Sequence, residues 1–89
     1  KMLTKEEKEI LVELICDNSV MDAIIDKFGT EAKTYAYDMT SFKLEVNVAV
    51  NHVFLSWVFG FSGKVKIKGP ENVLEEYKDM VQKVFASLQ

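Results

Sequence analysis

The side chains able to do chemistry are few in this sequence, and each has a plainer role beside it. His52 is the only histidine. As an acid/base or a metal ligand it needs a nucleophile or a second ligand nearby, and the neighbouring sequence supplies neither. A helix-start or surface position accounts for it. Cys16 is the only cysteine, so it forms no internal disulfide and no multi-cysteine metal site. It lies mid-strand in an apolar row, where a cysteine behaves as a small hydrophobe. Asp17, Asp22 and Asp26 suggest a cation site but lack the Gly and the terminal Glu of a calcium loop. Cap and solvent roles explain them.

Three further groups point to binding. Lys64, Lys66 and Lys68 alternate along one strand and match a phosphate-tracking row or a solvated edge. Tyr35 and Tyr37, taken with these lysines, are candidate contacts for an anionic ligand. Phe59-Gly60-Phe61 resembles the aromatic core of an RNA-reading strand, but that motif needs a basic residue and Gly ahead of it, on a strand. Here the triplet ends a helical pattern. Trp57 reads equally as an interface anchor or a core aromatic. The charge argues against nucleic acid: net −3, with every basic residue a lysine and no arginine. Arginine supplies the planar fork that matches guanine edges and phosphates. No cofactor is expected.

The elements that must position these residues follow from hydrophobic period. Residues 1–8 are polar and read as a lead-in. Over 9–17, Ile10, Val12, Leu14 and Cys16 alternate with Leu11, Glu13 and Ile15, a strand apolar on both faces. Ser19 with Asp22 resembles a capping box for a helix over 20–28 that buries Met21, Ile24, Ile25 and Phe28. Gly29 stands where positive φ ends it. A second strand is expected over 32–37 and a tight turn from Asp38 to Ser41. Residues 42–50 give the cleanest alternation, with Phe42, Leu44, Val46, Val48 and Val50 on one face. Residues 51–61 turn helical and are apolar all round, which implies burial by more than their own sheet. Residues 64–68 form a short strand whose outward lysines suit a guarded edge. Pro70 is expected at the first helical position of the last helix. There Val73, Leu74, Tyr77, Met80, Val81, Val84, Phe85 and Leu88 make one apolar stripe.

The order β-α-β-β-α-β plus a helix is the ferredoxin-like, split βαβ pattern. The fold class is therefore α+β, one domain over 9–89, with two helices on one face of a four-stranded antiparallel sheet. The other face carries Leu11, Glu13, Ile15, Lys43, Glu45, Asn47 and the lysine row. Acylphosphatase-type chemistry on this topology needs an Arg in a phosphate-cradling loop, so the arginine-free sequence excludes it.

Three stretches taken in order carry a family resemblance. Ile25-Asp26-Lys27-Phe28-Gly29 closes the first helix after the Cys16-Asp17-Asn18-Ser19 strand end. Phe54-Leu55-Ser56-Trp57-Val58-Phe59-Gly60 makes the second helix. Val65-Lys66-Ile67-Lys68-Gly69-Pro70-Glu71 leads into the third. From about residue 9 to the end the chain resembles the C-terminal extension (WCX) domain of WYL-domain bacterial transcriptional regulators. The resemblance implies a ferredoxin-like fold, dimer assembly and relay of a sensed signal, with DNA reached only through the parent protein. It also implies WYL and DNA-binding domains elsewhere in that protein. No Trp-Tyr-Leu triplet and no helix-turn-helix occur here, so the family's sensing and DNA-reading residues have no positions to occupy.

The expected function is thus a non-catalytic assembly module, and the opening at Lys1 reads as a fragment of a longer protein. Leu11 and Ile15 on the sheet, with Trp57 and Phe59 on the second helix, are the expected interface of a homodimer. A small-molecule effector-binding module of the same topology is the alternative, followed by single-stranded nucleic-acid binding. No apolar run reaches the ~18 residues of a membrane span and no signal-peptide pattern is present, so a cytoplasmic protein without membrane contact is expected.

Overall fold

The computed structural model describes residues 8–89, so most of the expected lead-in over 1–8 lies outside it. The strands are β1 (Glu9–Asp17), β2 (Lys33–Ala36), β3 (Ser41–Ala49) and β4 (Val65–Gly69). The helices are α1 (Met21–Phe28), α2 (His52–Phe59) and α3 (Glu71–Ala86). The sheet runs β2-β3-β1-β4 with every neighbouring pair antiparallel. This is the ferredoxin-like topology with an added C-terminal helix.

Register decides which face is core. Val12 pairs with Val46, Leu14 with Leu44 and Cys16 with Phe42 across β1 and β3. Leu14 and Cys16 meet Ile67 and Val65 on the other side. All of these residues are buried, together with Ile24 of α1, Phe54, Leu55 and Val58 of α2, and Val73 of α3. Full burial of each such side chain stabilises the fold by roughly 1.5–3 kcal/mol. One face is packed and one is wet, as antiparallel sheets permit.

Local chemistry shifts several boundaries. The Ser19–Asp22 capping box does not form. Asp17 instead accepts from the Ser19 backbone N–H and hydroxyl, closing a single 3-10 turn over Asn18–Val20. That Asx turn engages Ser19, and α1 begins after Val20 without a side-chain cap. Asn51 caps α2 by accepting from the Phe54 N–H at 3.0 Å. Pro70 is the extended residue before α3, not its first helical residue; its carbonyl accepts from Val73 and Leu74. Gly29 has the positive φ, +58, that its place after α1 predicted, with ψ at −137.

The last helix departs most from a simple layer. Val73 is fully buried, and Leu74, Tyr77, Met80 and Val81 are half-buried against the body. Val84, Phe85 and Leu88 are 39%, 61% and 78% exposed. So α3 packs beside β4 through its first half and leaves the open sheet face uncovered.

Candidate functional site

The open sheet face is built in rows fixed by register. Lys33 and Glu13 flank Glu45, Tyr35 and Ile15 flank Lys43, and Lys66 pairs with Ile15. Lys43 sits at the centre. Its ammonium stands 3.4 Å from Glu45 and 3.8 Å from Glu13. The Tyr35 ring lies over the same ammonium, 5.3 Å from its centroid. The Tyr35 hydroxyl donates to Glu45 at 3.1 Å, and this bond to a carboxylate raises the phenol's pKa. The middle of the face is therefore a joined polar network, not an apolar patch. Leu11, 52% exposed, stands at its margin beside Asn47, and Ile15 is half-buried.

At the end of β1 the same face dips into a depression of about 360 Å³. Tyr37, Ile15, Ser41, Lys64 and Lys66 line it, with Asp17 and Asp38. Both carboxylates are held below their ordinary range by donors. Asp17 accepts from Ser19, and Asp38 accepts from the Ser41 hydroxyl at 2.6 Å and the Thr40 N–H at 2.9 Å. Lys64 Nζ stands 3.5 Å from Ser19 Oγ.

The residues expected to bind ligand are thus divided. Tyr37, Lys64 and Lys66 share the depression, whereas Tyr35 is on the opposite edge strand and engaged by Lys43 and Glu45. Lys68 lies at the irregularity where β1 and β4 change register. Position along the strand explains the division: Tyr35 lies inside β2 opposite Lys43, whereas Tyr37 lies past its end, at the 38–41 turn that meets the end of β1.

The second helix divides too. Trp57 is half-buried inside an aromatic cluster of its own chain, with Phe28, Phe61 and Phe54 at 5.5, 5.0 and 6.1 Å between centroids. Lys27 lies 5.1 Å from its ring centroid. Phe59 is 42% exposed. His52 is the first residue of α2 and exposed. Cys16 is fully buried, and burial pushes its thiol up to about 11, away from thiolate chemistry.

A third surface lies between β4 and α3. It is an apolar groove of about 400 Å³ lined by Val65, Ile67, Leu74, Tyr77 and Val81 among others. The apolar stripe of α3 was legible in the sequence; its half-docked state was not, since that depends on where β4 ends. Among the described residues, no group of three or more His, Cys, Asp or Glu side chains is placed to hold a metal ion. No helix among them is long and apolar enough to cross a membrane. No family model, curated protein or solved structure matches the chain.

Proposed function

We propose that this domain is a non-catalytic assembly and signal-relay module of a WYL-type transcriptional regulator, which joins two copies of its parent protein. The observation that carries the assembly reading is α3. A helix of 16 residues docks only its first half and leaves Val84 and Phe85, with Leu88 in the turn just beyond its end, in solvent. Contiguous exposed apolar residues mark protein contact surfaces. Five of the chemistry-bearing side chains support the non-catalytic reading, because each of these is engaged structurally. Cys16 fills the core, Asp17 and Asp38 tie turns, and Glu13 and Glu45 hold Lys43. The regulator reading rests on the three sequence stretches. Those stretches fall at the end of α1, along α2 and across the β4–α3 junction. DNA and effector are then contacts of the parent protein.

The solution mass of the domain across a concentration series tests this reading. A dimer forming with rising concentration is expected. A monomer throughout would overturn self-assembly.

The depression holding Tyr37, Lys64 and Lys66 favours a second reading, an anion-binding effector site. Ligand binding to the folded state must raise its melting temperature. A thermal-shift screen with inorganic phosphate, nucleotides and carboxylic acids at millimolar concentration tests it, and flat melting temperatures would reject it.

A further inference from the structure

We infer that the partner of α3 is α3 of a second copy, paired antiparallel, so that each copy's exposed C-terminal stripe covers the other's groove beside β4. This rests on the assembly reading above and assigns its surface. Leu74, Tyr77, Val81, Val84 and Leu88 recur at alternating spacings of 3 and 4 residues, the period of a two-helix seam. The first three line the groove, and the last two are exposed. Groove and exposed stripe therefore belong to one seam and meet at Val81. Leu74 lies seven residues before Val81, about 10.5 Å along the helix, and Leu88 lies seven residues after it, in the turn that closes α3. A two-fold axis at Val81 superposes one half on the other and satisfies both copies at once, the defining property of an isologous contact.

Charge selects the direction and favours a second copy as occupant. The first half of α3 carries Glu71, Glu75, Glu76 and Asp79 against Lys78. The second half carries Lys83 and no acid. Parallel pairing sets the two acidic halves side by side. Antiparallel pairing sets each beside the partner's Lys83 and opposes the helix dipoles. Lys66 also lines the groove.

The test combines mass with distance. Val84→Glu with Leu88→Glu places charge in the seam at exposed positions, so the folded monomer's circular dichroism should match wild type, while melting should fall only by the stabilisation that dimerisation gives. The dimer is expected to weaken by about a hundredfold or more. A spin label on Gln89→Cys reads direction, with buried Cys16 left unlabelled at neutral pH. Antiparallel helices hold the two labels about 25 Å apart or more, whereas parallel helices bring them to about 10 Å. A dimer that survives the double variant, or labels at the short distance, overturns this pairing and leaves assembly through another surface standing. A wild-type monomer overturns both readings together.

Discussion

Trp57 meets Phe28 edge to face, with ring centroids 5.5 Å apart and planes at 83°. The contact ties α2 to the end of α1. It spends the largest aromatic side chain of the domain on internal packing, although composition alone suited it equally to an interface. Trp57→Ala should therefore destabilise the fold by about 3 kcal/mol, the range for removing a large aromatic from a packed cluster. Association by the remaining folded protein should be unchanged. Urea unfolding and sedimentation of the variant separate the two effects.

The open sheet face should be indifferent to dimerisation. Lys43 links Glu13, Glu45 and Tyr35 there, and burying that network would strip its charges of water at a cost of several kcal/mol per ion. Leu11→Asp at a half-exposed edge of it should change stability by about 0.5 kcal/mol or less and leave the solution mass alone. A dimer abolished by Leu11→Asp would move the interface to the sheet.

Gly29 adopts φ +58 and ψ −137 after α1, and a Cβ there would meet nothing within 4 Å. Any penalty for a side chain is therefore one of backbone conformation, not of collision. Gly29→Ala should cost roughly 1–3 kcal/mol in chemical denaturation while leaving the native spectrum intact. Wild-type stability in that variant would show that the turn relaxes freely.

Cys16 gives stability a pH dependence of defined sign. Its folded thiol titrates near 11, raised from an ordinary value of 9.0. Between those values the unfolded chain loses a proton that the folded chain keeps. The contribution is fully present below pH 9 and is lost as pH rises toward 11, on the order of 2 kcal/mol in all. Tyr77, also raised by burial, acts in the same direction. Cys16→Ala should flatten the alkaline decline by the thiol's share. An identical decline in that variant would assign it elsewhere.

The fold was legible because its signals were redundant. Alternation over Phe42–Val48 specified a one-faced strand, and Leu14 sits where three strands agree on the same face. Boundaries were less legible where two local motifs compete for one side chain. Ser19 suits a helix cap by type, yet Asp17, two residues back, takes it for a turn. The candidate ligand site was legible in part. Tyr37 and Lys66 share a depression that no short-range pattern announces, because Ile15 and Ser41 of other strands form it with them. Tyr35 looked equivalent to Tyr37, but register set it beside Lys43. The stripe of α3 was fully written in the sequence, whereas the exposure of Val84, Phe85 and Leu88 depends on how far the docked half reaches along β4.

The most direct test of assembly is sedimentation equilibrium of the wild-type domain over a wide concentration range, beside Val84→Glu/Leu88→Glu. Self-assembly predicts a mass rising from 10.2 kDa toward twice that value, with the variant held at the monomer over the same range. A wild-type domain that stays at 10.2 kDa at every concentration would contradict it.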